Sequence, residues 1–336
     1  MSERKRFLDT MLFRRPDKIP LQPGGPREST LAAWHQQGLP DSVNWYDYLM
    51  ESLGIAYVAQ KPPATLNVSF KMIPFFEEKV LEQRNGSHIV QDWMGSTVQI
   101  SDQYDYTYLR RAKDFATRKW LDAPVHDRSD WLEKMAWRYD PHHPDRFPED
   151  FEERCQRVKT RETVLRLDVN GPFWQLREWC GFEGLCFLMV DDPGFVEEMI
   201  EFWSDFVLQT LEPILARVTP DYVMVAEDMA YKAHSMISPA MVRHFLMPTW
   251  TAWVDALKHA GCEIIAMDSD GYVAELMPLW VEAGFNMTFP VEVAAGNDIV
   301  AYRQMYGKQM AYLGGIDKRA LAAGGDAMRA EVMRVV

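Results

Sequence analysis

The chain has 336 residues, 47% hydrophobic and 25% charged, with a net charge of −13. That length and composition describe a globular protein able to bury a sizeable core, as one large α/β domain or two ordinary ones. The acidic balance, with no local Lys/Arg cluster to reverse it, excludes a nucleic-acid backbone as partner.

The opening segment, MSERKRFLDTMLFRRPDKIP, is basic and amphipathic but lacks the apolar core of a signal peptide. No stretch reaches the ~20 uninterrupted apolar residues of a membrane span. A cytoplasmic protein that does not enter a membrane is therefore expected. Next, KIPLQPGG (18–25) reads as a strand, and GIAYVAQ (54–60) as a further one. VLEQRNGSHIVQDWMGSTVQIS (80–101) has hairpin character, with Arg84-Asn85-Gly86 as its turn. Residues 120–150, rich in Trp, Pro and charge, read as a surface connection. There His142 and His143 are adjacent and would point apart in an extended chain, a poor arrangement for a metal. The four cysteines, Cys155, Cys180, Cys186 and Cys262, form no Cys-x-x-Cys pair, so scattered thiols in or near the core are expected.

From about residue 160 the chain alternates regularly. TVLRLDVNGP (163–172) is a strand stopped by Gly-Pro, followed by a long amphipathic helix in 191–218. Asp192 is its expected N-cap, Pro193 its first residue, and Val196, Met199, Ile200, Trp203 and Val207 its apolar stripe. Strand 221–228 precedes a helix over 238–261, which Ser238 caps and Gly261 stops. Strand 262–270, helix 273–284, strand 285–293, helix 297–307, strand 309–317 and a final helix near Ala327 complete the series. Strands separated by helices make parallel βαβ units. The fold class is then α/β, a (β/α)8 TIM barrel with seven strands legible and the eighth absent from this sequence. It forms a single domain over 1–336, with 61–160 as a hairpin-containing insertion. Either the chain is a piece of a longer one, or another segment closes the barrel. An open edge would expose unpaired backbone and invite association, a homodimer being the simplest form.

Such barrels carry their chemistry at the C-terminal strand ends. Gly24-Gly25-Pro26-Arg27 follows the first strand, and Asn170-Gly171-Pro172-Phe173-Trp174 follows strand 163–172. Glu227 and Asp228 end the next strand, and Asp268-Ser269-Asp270-Gly271 the one after. Glu292 and then Gly314-Gly315-Ile316-Asp317 close the last two. Six carboxylates from four strands would thus ring one end, with Asp268 and Asp270 on a shared face. Crowded carboxylates raise one another's pKa values and suit general acid–base work; they also suit a divalent cation or a cationic or hydroxylated substrate. Each acid taken alone could equally cap the following helix or pair with Lys232, Lys318, Arg319 or Arg303. A phosphatase reading of the Asp-x-Asp-Gly strand fails because too little chain follows it and GGDAMRAEV offers no acid pair.

Five segments together resemble the uroporphyrinogen decarboxylase superfamily, which includes methyltransferases that work with corrinoid proteins. They are DKIPLQPGGPREST, VNGPFWQL, VMVAEDMAYKAHSMISP, MDSDGYVAELMPLWVEAG and LGGIDKRALAAGG, in order and spanning nearly the whole chain. The resemblance implies the same barrel, with its cleft at the strand C-termini. In the decarboxylases an arginine-bearing loop after the first strand holds substrate carboxylates, and Arg27 matches it. An aspartate after the second strand contacts pyrrole nitrogens, and Asp92 in VQDWMG matches that. The family's tyrosine falls near Trp179, and a serine is replaced by Asp228. The methyltransferase branch holds zinc through a His-x-Cys whose place Asp268-Ser269-Asp270 takes, so zinc or a harder divalent ion on carboxylates is the implied metal.

Three functions follow from these readings. The first is methyl transfer from a small methylated compound to a corrinoid protein. Glu227, Asp228, Asp268 and Asp270 would bind an ion or protonate the leaving group, while Arg27, Gly171, Phe173, Trp174, Glu292 and Asp317 line the substrate. The second is decarboxylation of a porphyrinogen or other small carboxylate, with Asp92 stabilising developing positive charge. The third is a non-catalytic binding protein on the same barrel.

Overall fold

A computed structural model describes residues 1–20, 25–54, 64–103 and 118–335. The chain forms two compact units, one of Met1–Pro20, Pro63–Pro74 and Pro124–Val336, the other of Leu21–Pro62 and Phe75–Ala123.

In the smaller unit, β1 (Lys79–Arg84), β2 (Ser87–Gln91), β3 (Thr97–Ser101) and β4 (Arg118–Asp122) form an antiparallel sheet in sequence order. The expected hairpin is there: Arg84 pairs with Ser87 across Asn85-Gly86, and Gly86 takes the left-handed φ of 78° that a tight turn favours. Alternation puts Val90, Val98 and Ile100 on one buried face against Val80. Two helices, Glu28–Gln36 and Trp45–Ser52, belong to the same unit and were not legible in the sequence.

The larger unit carries five parallel strands in the order β5 (Arg166–Asn170), β6 (Tyr222–Ala226), β7 (Ile264–Asp268), β8 (Met287–Val291) and β9 (Ala311–Gly314). Their register aligns Asp168, Met224 and Ala266, then Ala226, Asp268 and Phe289, on one face. The N-terminal half of that face is covered by helix Glu3–Met11, whose Phe7 and Met11 pack with Tyr222, Met224, Ile264, Ala266 and Met287. Ser2 caps this helix, and Arg4 reaches the buried Asp221, which Arg161 also pairs. The helix thus fills the apolar N-terminal half of the face, with Ala226 and Phe289 packed against the same cluster. The stripe Val196, Met199, Ile200, Trp203 and Val207 on helix Pro193–Leu215 is buried as its spacing requires, with Asp192 accepting from the Phe195 N–H. Ser238 and Gly261 bound the next helical segment, whose first turns include a π-helical stretch at Val242–Leu246.

Several expectations are corrected. Lys18–Pro20 and Gly25 are not strand, whereas residues 21–24 of the first early strand and 55–60 of the second lie outside the described residues. An isolated parallel bridge joins Ala64 to Leu165, the residue before β5. Residues 120–150 are not merely a surface connection: Trp131, Met135 and Tyr139 are buried at four-residue spacing, one face of a helical turn. Arg146 beside them is fully buried and donates to the carbonyls of Ser69, Lys71, Arg138 and Asp140. Four backbone carbonyls, those of Ser69 and Lys71 distant in sequence, replace the water its guanidinium would otherwise need. The four cysteines are free, three of them buried.

Candidate active site

At the end of β7 the chain runs Asp268-Ser269-Asp270-Gly271, and each position is fixed separately. Ser269 is buried, its hydroxyl accepting from the Met229 N–H at 3.0 Å. Gly271 has φ 84°, and a Cβ there would lie 2.4 Å from the Ala230 carbonyl oxygen, so the turn tolerates only glycine. Asn297 clamps it. Its amide donates to the carbonyls of Gly271 (2.8 Å) and Glu292 (2.9 Å) and accepts from Val273 N–H (3.1 Å) and the Tyr302 hydroxyl (2.7 Å). A buried amide with two donors and two acceptors satisfied is a rigid joint between the β7 and β8 ends.

The Asp268 side chain is half-buried and takes no hydrogen bond among the described residues. Burial first, then the charges of Asp270 and Asp228, push its pKa up to about 6, with Arg166 opposing. Asp270 is raised in the same way, by burial and then by Asp228 and Glu292, against Lys318. Asp228 sits at φ 41°, a conformation rare for a non-glycine residue, and its charge acts on both Asp268 and Asp270. Its carbonyl accepts from Arg177 at 2.8 Å, and the same guanidinium lies 3.8 Å from its carboxylate. Arg177 stacks over Trp174 at 4.7 Å. Sequence reading missed Arg177 and Asn297; the available signal for Arg177 was its place one turn after Trp174 on the helix that follows β5.

Glu227 is different. Its side chain is fully buried, with Trp250 Nε1 donating to one oxygen (2.7 Å) and the Trp174 N–H to the other (3.0 Å). Helix Pro172–Cys180 has Gly171 at its N-cap, which offers no side chain, and Glu227 supplies the missing acceptor from a neighbouring strand. Burial raises its pKa to about 7 against these two bonds. A Cβ on Gly171 would fall 2.1 Å from the Glu227 carboxyl carbon. Gly171 and Phe173, itself fully buried, therefore build the helix start rather than line an open cleft.

The remaining acids divide. Glu292 accepts from Gly271 N–H at 3.0 Å and pairs with Lys318 at 2.8 Å, which lowers its pKa. Asp317 caps helix Lys318–Ala323 and pairs with Arg319, which lowers its pKa to about 2. Of the six acids, Asp228, Asp268, Asp270 and Glu292 act on one another electrostatically; Glu227 and Asp317 serve helix starts. Asp92 and Arg27 belong to the smaller unit. Asp92 is 1% exposed in the turn after β2, one oxygen accepting from Met94 N–H (2.9 Å) and Ser96 N–H (3.0 Å). Its other oxygen has no partner among the described residues, and burial raises its pKa. Arg27 is the N-cap residue of helix Glu28–Gln36 and does not cap it through its side chain.

Among the described residues no group of three or more His, Cys, Asp or Glu side chains is arranged to hold a metal ion. Asp268 and Asp270 by themselves are fewer protein ligands than the three or four that a zinc site uses. No helix among the described residues is long and apolar enough to cross a membrane.

No family model matches the chain, and no curated protein does. Among solved structures it is similar to a methyltransferase from Methanosarcina mazei, with a TM-score of 0.53 and 14% identity over 94% of this chain and 83% of that one. At that identity the likeness is one of fold: an α/β chain with a parallel sheet and covering helices.

Proposed function

We propose that this chain is a methyltransferase-like enzyme of the uroporphyrinogen decarboxylase superfamily, its parallel sheet part of a (β/α)8 barrel. It would move a methyl group from a small methylated compound to a corrinoid carried by a partner protein. The observation that carries the reading is Asp268, a half-buried carboxyl at a strand C-terminus with a pKa near 6 and no hydrogen bond among the described residues. The fold it shares with a methyltransferase supports the choice of reaction.

The corrinoid, as co-substrate, would supply the nucleophile that accepts the methyl group. This chain's residues would do the rest. The bond between the methyl carbon and its heteroatom breaks, and the heteroatom takes the proton held on Asp268. Burial, and then the charges of Asp270 and Asp228, keep that proton on Asp268 up to about pH 6. Arg177 holds Asp228 in place, and Asn297 fixes the turn that carries Asp270.

The test mixes purified protein with a panel of small methyl ethers and methylamines and with reduced cobalamin as probe acceptor, reading methylation by absorbance. Methyl transfer should fall by roughly 10²-fold or more in Asp268→Asn. Transfer at the wild-type rate in that variant, or none with any donor, overturns the reading. Asp92 favours a second reading, decarboxylation, because its unpartnered buried oxygen could meet a substrate N–H. Formation of coproporphyrinogen from uroporphyrinogen, lost in Asp92→Asn, would establish it instead.

A further inference from the structure

The smaller unit contains a cavity of about 300 Å³ walled by Trp34, Trp45, Tyr48, Leu39 and Leu49. It is built, not incidental. Gly38, at φ 110°, reverses the chain after helix Glu28–Gln36, and Leu39 N–H donates to the Trp34 carbonyl at 2.9 Å. That turn buries Leu39 as the floor beneath the rings. Asn44 caps helix Trp45–Ser52 through the Tyr46 and Asp47 N–H groups and so sets the opposite wall. The Trp34 and Trp45 rings stand 6.1 Å apart at 48°, and Trp34 and Tyr48 remain 37% and 44% exposed. Large aromatic faces left open within a concavity of this size mark a small-ligand site.

The lining contains no charged side chain among the described residues, and its polar members are Gln37 and Ser52. The Ser52 hydroxyl already donates to the Tyr48 carbonyl at 2.7 Å. An anion would find no donor cluster here. Residues 25–54 contain Glu28, Asp41, Asp47 and Glu51 against Arg27 as their one Lys or Arg, so the field of the segment favours positive charge. Electron-rich ring faces inside an acidic segment match one ligand chemistry above others. We propose that this cavity binds a small organic cation of the alkylammonium class, held over the faces of Trp34, Trp45 and Tyr48. The site lies in the smaller unit and does not depend on the methyl-transfer reading.

The full chain, ¹⁵N-labelled, is titrated with choline and separately with 3,3-dimethylbutan-1-ol, its uncharged isostere, following the tryptophan indole N–H signals. Choline should shift the Trp34 and Trp45 signals saturably, and the neutral alcohol should bind at least about tenfold more weakly. Trp45→Leu should weaken choline binding about tenfold, whereas Trp34→Phe, which keeps a ring and a folded unit, should weaken it about threefold. Equal binding of the two probes would make the site merely apolar and overturn the proposal. So would choline binding unchanged in Trp34→Phe and Trp45→Leu, or no shift of either indole at any choline concentration used.

Discussion

Gly171→Ala is the sharpest test of how the β5 and β6 ends are joined. Gly171 has φ −69° and ψ 164°, extended backbone that any residue adopts, so the substitution carries no conformational penalty of its own. Its cost is steric. The new Cβ would sit 2.1 Å from Glu227 Cδ, 2.2 Å from Oε1 and 2.5 Å from Oε2, far inside van der Waals contact. Glu227 is fully buried and held by Trp250 and the Trp174 N–H, so it cannot move without losing one or both bonds. Losing hydrogen bonds to a buried carboxyl, together with the shift forced on the helix start, costs about 3–5 kcal/mol. An unfolding entropy of about 2.1 cal/mol/K per residue turns that into a Tm lower by roughly 4–7 °C for a chain of this size. Urea unfolding and thermal melts would measure it. Gly194→Ala is the control, because its Cβ meets only Asp192 Oδ1, at 3.9 Å, inside a helix. That change should stabilise by up to about 1 kcal/mol. In a Glu227→Ala background most of the Gly171→Ala penalty should vanish, since the clashing group is gone. A penalty undiminished there, or a Gly171→Ala protein as stable as wild type, refutes the account.

Glu227 also gives stability a pH dependence. Its folded pKa of about 7 lies above the ordinary 4.5, so the native state keeps a proton that the unfolded chain has released. Stability from this group is therefore full below about pH 4.5 and declines as pH rises to about 7, by ~3 kcal/mol in all; Glu227→Gln should flatten that slope in urea titrations across the window. Asp270→Asn removes a charge that raises Asp268, so the Asp268 carboxyl should titrate below about 6 in ¹³C NMR; an unchanged or higher value contradicts the coupling. If methyl transfer is the reaction, its loss at high pH should begin at correspondingly lower pH in that variant. Asn297→Ala deletes four hydrogen bonds and should cost about 2–4 kcal/mol, with amide exchange accelerating at Gly271 and Val273 first. Uniform acceleration across the chain would mean that Asn297 is not a local joint.

The alternation of strands and helices after residue 160 was legible because most strands are short apolar runs and several helices carry their own cap or stop. Asp192, Ser238 and Gly261 act through neighbours within four residues, so sequence alone exposes them. The candidate site was only partly legible. Asp268 and Asp270 were found from their spacing, and the crowding that raises their pKa values followed from placing acids on successive strand ends. What misled was treating all six acids alike. Asp317 pairs with a residue two positions away, and that alternative was readable. Glu227 was not: whether it faces the cleft or the helix beside it depends on Gly171 leaving room, 56 positions earlier. Trp131, Met135 and Tyr139 hid behind neighbouring charge and proline, since burial there comes from segments far along the chain.

The sequence by itself determined the local physics: the order of parallel strands and helices, the hairpin at Asn85-Gly86, the helix starts and stops, and the collection of acids at strand C-termini. Those features depend on residues a few positions apart, where periodicity and capping operate. Tertiary structure alone decided which acids meet. It buried Glu227 under Trp250, placed Asp228 beside Arg177, locked Gly271 to β8 through Asn297, and set Trp34 against Trp45 around a cavity. Each of these is a contact between separate elements of the fold. Side-chain direction at such contacts depends on register and packing that no local pattern encodes.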